Sequence, residues 1–547
     1  MGSQAEPWQV IAKEKRQQQA AKLPQEWLLG NTEFKTATPL EILRSSGILS
    51  SEELEWTELS NDATFLVKKL ASSAITSSQL VLAFCKRAAI AHQLSNCLTE
   101  IFFDEALIRA KQLDEHLAKT GKVVGPLHGL PISVKDQFFI KGHDASIGIT
   151  SLCFQPVTTD SQLVRIFESL GAIIIAKTTV PQTMLTADTD SIVFGRTSNA
   201  HNFQFGAAGS SGGEGALLAL GGSAFGIGSD GAGSVRMPAA VNGVVGYKPS
   251  GYRLPLDGRA IFPPGLIGSN AVGPVSVSGF LARSIRDVRF AARLVSEAQP
   301  WTSNPFLYPS PWLQLDPASF KHLRIAVWHE NNFLHLHPPV QRGFEMAQNR
   351  LEKAGYALVP FNGPDISQVW EQQKQWGEIY GLSLLRELIS SEPLTEIVKA
   401  TQMVTREKMP QCPTVEDVRA MNVAISSLIM KMTEAWMVNG ESVDAILWVP
   451  APHTAVPFDK YTYLGFTGLF NVIDWPALAL PLGMSVNKAV DERVDVVPFN
   501  ELDAHIQSLY DPDTFHGLPL SVQLIGRRFE DEKLLAVADK VSQIIRG

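Results

Sequence analysis

Apolar residues along this chain fall into two patterns, one at helical spacing and one in short continuous runs. Leu80, Val81, Leu82 and Phe84 follow Thr76 and Gln79, a pair at capping-box spacing, and predict a helix over 77–94. Leu163, Val164, Phe167 and Leu170 line one face of a second helix, with Asp160 as the expected cap and Gly171 as the expected stop. The β-branched run 172–176 follows at once, as for a strand buried on both faces. Residues 130–134, set among Gly and Pro, predict another buried strand that runs into a loop. Helix followed directly by buried strand signals an α/β fold with a mixed or parallel sheet.

Further along, the pattern predicts a strand over 322–328, a helix near 339–353 closed by Gly355, and a strand over 356–361. Strands recur at 444–450 and 519–526. A final helix over 530–545 carries Leu534, Leu535, Val537 and Val541. The Pro-rich segment 305–317 reads as a connection, and 365–440 as a mainly helical, charged peripheral lobe. These patterns divide the chain into an N-terminal helical extension, 1–60, and a main body, 61–547. The Gln- and Lys-rich face of residues 1–30 reads as solvated surface.

Composition narrows the classes. With 547 residues, 45% apolar and 19% charged, the chain can bury a sizeable core. A net charge of −8 leaves no basic surplus for phosphates, which argues against a nucleic-acid partner. Cys85, Cys97, Cys153 and Cys412 form no close pair, and the twelve histidines contain no HExxH pattern, so neither a metal nor a disulfide framework is expected. No cofactor is indicated. The first twenty residues lack an apolar signal region, and Glu6 breaks the myristoylation pattern after Gly2. No run approaches the ~18 apolar residues of a membrane span. The expectation is a soluble, cytoplasmic protein.

Residues 195–250 are rich in Gly, Ser and Ala, yet apolar residues are interleaved throughout, which favours tight packing round a site over a flexible linker. Two serine-bearing loops stand out, 209–215 (GSSGGEG) and 228–236 (GSDGAGSVR). Gly226, Gly228 and Gly231 match a dinucleotide fingerprint by letter, but Pro238 comes too early for the helix that fingerprint needs. A phosphate loop fails for want of Gly-Lys-Ser/Thr. Plain turn-forming use of Gly and Ser is the remaining alternative, and the order and spacing of the residues argue against it.

Ser234 follows Ser210 by 24 residues, and Lys135, in the run GLPISVKD (129–136), precedes Ser210 by 75. This joint pattern resembles the amidase-signature family, and 82–94, 124–137 and 498–517 look most like fungal acetamidases and general amidases. The resemblance runs from about residue 60 to Gly526. It implies an α/β/α sandwich with a central mixed β-sheet surrounded by helices. It also implies a Ser-Ser-Lys triad: Ser234 as the nucleophile that forms an acyl-enzyme, Ser210 (on a cis peptide, and beside the substrate) as proton carrier, and Lys135 as base. Backbone N–H groups of Gly231, Ala232, Gly233 and Ser234 would form the oxyanion hole, with alanine at 232 where the family more often has glycine. Ser211, Asp230 and Arg236 would support these loops. Met184 would line the acyl pocket, with Thr179 and Asp188 as secondary candidates.

An amide is a poor electrophile with a poor leaving group, so its hydrolysis needs an activated nucleophile, oxyanion donors and a proton for the departing amine. Lys135 can serve as base only when neutral, which asks burial to lower its pKa from ~10.4 by about 3, roughly 4–5 kcal/mol of environment. Asp136 would oppose this, but neighbours on a strand point to opposite faces. The expected reaction converts a small aliphatic or aryl-alkyl carboxamide to carboxylate and ammonia. The alternatives are a larger fatty or specialised-metabolite amide, or a structural subunit of a complex. All three catalytic side chains are present, which counts against the last. A homodimer is left open.

Overall fold

The computed structural model describes residues 5–30, 38–260, 274–329, 332–379, 383–401 and 414–546; Cys412 lies outside them. Eleven strands form one sheet: β1 Leu98–Ile101, β2 Pro131–Lys135, β3 Ile173–Thr178, β4 Phe225–Asp230, β5 Val245–Lys248, β6 Val277–Ala282, β7 Arg324–Val327, β8 Ala357–Pro360, β9 Ala445–Trp448, β10 Ala477–Ser485 and β11 Pro519–Ile525. Their order across the sheet is β1-β3-β2-β4-β6-β5-β10-β11-β9-β7-β8. β2 runs parallel to β3 and β4, and β7 to β8 and β9, while every other neighbouring pair is antiparallel. The sheet is therefore mixed, as expected. Every residue of β2, β3 and β4 is buried, so both faces of this part of the sheet are covered.

The long helix Ser77–Ser95 opens on Thr76, whose hydroxyl accepts from the Gln79 N–H while Gln79 answers on the Thr76 N–H, the reciprocal pairing the sequence predicts. The helix ends at Asn96 in a left-handed conformation. The helix Gln162–Ser169 corrects one detail. Ser161, not Asp160, stands at its N-cap, and Asp160 instead accepts from the Lys141 N–H at 2.7 Å. The Ser161 hydroxyl is also diverted, accepting from the Phe139 N–H at 2.9 Å and donating to the Gly258 carbonyl, so tertiary partners displace the local cap.

The N-terminal segment is a larger correction. One side of the helix Pro7–Ala20 is buried at Ala12, Lys15 and Gln19, while Lys13, Gln17 and Gln18 face solvent. The Lys15 ammonium contacts Asp144 at 2.6 Å and Glu100 at 2.5 Å, and the Gln19 amide donates to the Leu98 carbonyl on edge strand β1 at 2.6 Å. Arg16 donates to the Val193 carbonyl at 2.6 Å. The solvated reading therefore fails at Lys15 and Gln19, because the surface beneath them supplies carboxylates and carbonyls.

In the 365–440 region the structure shows the helices Ile366–Ile379, Ser383–Ile389, Glu396–Thr401 and Val415–Ala435. Leu385, Ile389 and Val398 pack into a small apolar cluster with Ile147, Ile149 and Val180. Buried Glu392 clamps this contact: the Gln182 amide donates to its Oε1 at 2.6 Å, and the Thr150 N–H donates to its Oε2 at 2.7 Å.

Candidate active site

The site forms where β2 and β4 end beside the two serine loops. Lys135 is the last residue of β2 and is fully buried. Its ammonium nitrogen lies 2.7 Å from Ser210 Oγ and 2.9 Å from Ser229 Oγ, and the Ser229 hydroxyl passes on to Gln137 Oε1 at 2.8 Å. Burial, helped by the charge of Arg259, brings the Lys135 pKa down from 10.5 to about 7, against the opposing pull of Asp230 and Glu214. Asp136 does turn away, as strand alternation requires: its carboxylate accepts from Thr99 Oγ1 and the Ile147 N–H and lies 3.5 Å from the Lys177 ammonium.

Ser210 is buried, and the Gly209–Ser210 peptide is cis. Ser211 joins the two loops. Its N–H donates to the Ser234 carbonyl at 3.1 Å, and the helix Gly212–Ala219 starts directly after it. Ser234 itself is partly exposed, the accessibility a group meeting substrate requires.

The loop from Asp230 to Arg236 is held by its own ends. Arg236 Nε and Nη2 donate to the two Asp230 oxygens at 3.0 and 2.9 Å, a bidentate pair with no solvent exposure. Burial alone would push the Asp230 carboxyl up, but the charge and hydrogen bonds of Arg236 outweigh it and hold the carboxyl well below the usual range. From outside the loop, Asn471 accepts from Arg236 at 2.7 Å and donates to the Asp230 carbonyl at 2.9 Å. Thr467 donates to the Ala232 carbonyl at 2.7 Å.

This closure amends the expected oxyanion donors. The Gly233 N–H is engaged by Asp230 Oδ1 at 2.7 Å, so it serves the loop's own structure. Among the described residues, the N–H groups of Gly231, Ala232 and Ser234 meet no protein acceptor. Gly233 has φ +122, and a Cβ there would stand 2.1 Å from Thr467 Oγ1, which fixes glycine at this position.

The pocket candidates divide. Met184 sits on the short turn Gln182–Met184 and packs against the apolar cluster of Ile147, Val180 and Ala260. Ala260 is tied to Gln137 by its N–H at 2.9 Å, so this cluster begins one residue's contact away from the Lys135 network. Thr179 is scaffold instead: its hydroxyl pairs with Thr197 at 2.7 Å, and its carbonyl accepts from the Gly213 N–H. Asp188 is also scaffold, accepting from the Thr189 and Asp459 N–H groups, and burial pushes its carboxyl up to about 7.

Of the dinucleotide-like glycines, Gly226 and Gly228 lie inside β4 and Gly231 opens its link to the helix Arg236–Asn242; that helix contains Pro238, so the expectation that Pro238 comes too early for a helix is corrected. Gly226 is there for another reason, since a Cβ would come within 2.1 Å of Glu214 Oε2. Sequence reasoning passed over Ser229, Gln137, Glu214, Thr467 and Asn471. Gln137 stands two residues past Lys135 and Ser229 beside Asp230, which were usable signals; Thr467 and Asn471 carry none. Among the described residues, no group of three or more His, Cys, Asp or Glu is placed to hold a metal. None of their helices is long and apolar enough to cross a membrane.

A buried lysine whose pKa burial brings down to about 7, joined to a serine loop on a mixed α/β sheet, accords with a hydrolase of amide bonds. The chain belongs to the amidase family, whose model matches residues 79–535. It is similar over nearly its whole length to the acetamidase of Aspergillus oryzae (33% identical, covering 98% of this chain and 99% of the relative). The acetamidase of Emericella nidulans is 34% identical, with 98% of each chain covered. Among solved structures, a fatty acid amide hydrolase superposes with a TM-score of 0.92 at 29% identity, covering 98% of this chain and 95% of that one.

Proposed function

We propose that this amidase hydrolyses a small carboxamide to carboxylate and ammonia through Lys135, Ser210 and Ser234. The observation that carries the reading is the 2.7 Å contact between the buried Lys135 amine and Ser210 Oγ. With a pKa near 7, Lys135 is largely neutral just above neutrality and can accept the Ser210 proton. Ser210 in turn takes the proton of Ser234 as Ser234 Oγ attacks the amide carbon. Negative charge gathers on the carbonyl oxygen within reach of the Gly231, Ala232 and Ser234 N–H groups. Collapse of the tetrahedral intermediate breaks the C–N bond, the proton returns through Ser210 to the leaving nitrogen, and ammonia departs. Water, deprotonated along the same route, then cleaves the ester to Ser234 and frees the carboxylate.

The similarity to the acetamidases supports a short acyl group. A second reading, a long-chain amide, draws support from the likeness to the fatty acid amide hydrolase and from the apolar cluster that holds Met184. Ammonia release from a series of primary amides, acetamide to hexadecanamide with phenyl- and indoleacetamide, separates the two. A short-chain optimum that vanishes in Ser234→Ala bears out the proposal. A rate that climbs with chain length overturns the small-amide reading, and full activity in Ser234→Ala overturns the mechanism.

A further inference from the structure

We propose that Glu214 is the positioning residue of this relay: its carboxyl, held as the neutral acid, pegs the helix that starts behind Ser210 to the strand that carries Lys135. The inference rests on the Lys135–Ser210–Ser234 reading above. The argument begins with register. Ser133 stands two residues before Lys135 on β2, so both side chains leave the same face. Thr178 on β3 is the cross-strand partner of Lys135. Glu214 Oε2 lies 2.6 Å from Ser133 Oγ, and Oε1 lies 2.9 Å from Thr178 Oγ1. The carboxyl therefore bridges two strands in the row of side chains to which Lys135 belongs.

The third strand makes room for it. Gly226 on β4 pairs with Ser133, and this is the glycine whose Cβ would strike Glu214 Oε2. Glu214 is fully buried in the first turn of the helix Gly212–Ala219, four residues after Ser210. Any shift of this carboxyl moves the start of that helix, and with it the loop that presents Ser210 to Lys135.

Charge decides which form the carboxyl takes. The titratable groups facing Glu214 are Lys135 and the Cys97 thiol, which burial pushes up to about 12 and keeps neutral. Lys135 in turn faces Arg259 and Asp230. Burial pushes the Glu214 carboxyl up to about 8, against the Ser133 and Thr178 hydrogen bonds and the Lys135 charge. An ionised Glu214 would raise the Lys135 pKa and so oppose the neutral form that the base needs. The neutral acid does not, and it offers one donor and one acceptor to two hydroxyls that can each play either part.

Amide turnover against pH in Glu214→Gln, Glu214→Ala, Ser133→Ala and Thr178→Val tests the proposal, with Lys135→Ala and Ser234→Ala alongside. Glutamine keeps one donor and one acceptor without titrating, so kcat stays within about 3-fold and the fall in kcat/KM near pH 7 does not move. Glu214→Ala lowers kcat by about 30-fold or more with KM nearly unchanged, as expected for misplaced reacting groups. Ser133→Ala and Thr178→Val each leave one tether and lower kcat by about 3–10-fold, and they carry the test should the alanine variant not fold. A glutamine variant whose rate fall moves about one pH unit lower would reveal a charged carboxylate and overturn the proposal. Wild-type kcat in both Ser133→Ala and Thr178→Val overturns it as well. Activity surviving in Lys135→Ala or Ser234→Ala would overturn the underlying relay instead.

Discussion

Replacing Lys135 with methionine should make this protein more stable and inactive. The unfolded lysine holds its proton up to about pH 10.5, whereas the buried one releases it near pH 7. At pH 7 the unfolded chain therefore binds more protons than the folded one, and burial of this side chain costs about 4–5 kcal/mol of stability. Methionine of similar length fills the space without that cost. It also forfeits the lysine's bonds to Ser210 and Ser229, a loss of about 1 kcal/mol each. The net gain at pH 7 is about 2–3 kcal/mol. Because the lysine's folded-state pKa is depressed, wild-type stability recovers as pH rises through the window from about 7 to 10.5, by about 1.4 kcal/mol per pH unit. The variant has no such slope, so its advantage closes near about pH 9. Urea unfolding of both proteins between pH 6.5 and 9.5 measures the difference. A difference that stays flat across that window would mean that Lys135 is charged in the folded protein, and the base assignment would fall with it.

Three further outcomes are expected. Asp230→Asn breaks the buried pair with Arg236 and should cost about 3–5 kcal/mol in thermal unfolding, with turnover down at least about tenfold because the nucleophile loop loses its closure. Gly233→Ala should destabilise by about 1–3 kcal/mol from backbone strain at φ +122; Thr467→Ala in the same chain should not restore it, as the clash disappears but the strain does not. Lys15→Met takes the nearest ammonium from buried Asp144 and partly buried Glu100 and should lower stability by about 3 kcal/mol, with limited proteolysis now cutting near residues 5–20; unchanged protease resistance would refute the view of that helix as packed onto the body.

Much of the frame was legible in sequence. Strands β2 and β3 and the helix Ser77–Ser95 rest on local pattern alone, a run of buried residues or a cap three residues from its partner, and local pattern survives into the fold. What escaped reading was decided at a distance. Ser161 and Asp160 are both competent caps, and only the arrival of Phe139, Lys141 and Gly258 turns them to other uses. The polar helix near the N-terminus looks solvated until Glu100 and Asp144 are set beneath Lys15. At the site, the spacing of Lys135, Ser210 and Ser234 was visible, and so was the Asp230–Arg236 pair. The resemblance implies a donor at Gly233, whereas Asp230 three residues before it claims that N–H. Glu214 stayed hidden because its partners lie on two strands and the space for it on a third.

The outer brace of the Asp230–Arg236 loop has a consequence for the order in which the protein is made. Arg236 takes its last two partners from Thr467 and Asn471, 231 and 235 residues further along the chain. A ribosome that has just released Ser234 has therefore delivered Lys135, Ser210 and Ser234 but neither Thr467 nor Asn471. At about 5–20 residues per second, the intervening stretch takes some 12–50 seconds to emerge. Throughout that interval the nascent chain holds these three side chains without the finished loop. The loop is in this sense braced late, after the sheet has been extended far beyond β2 and β4.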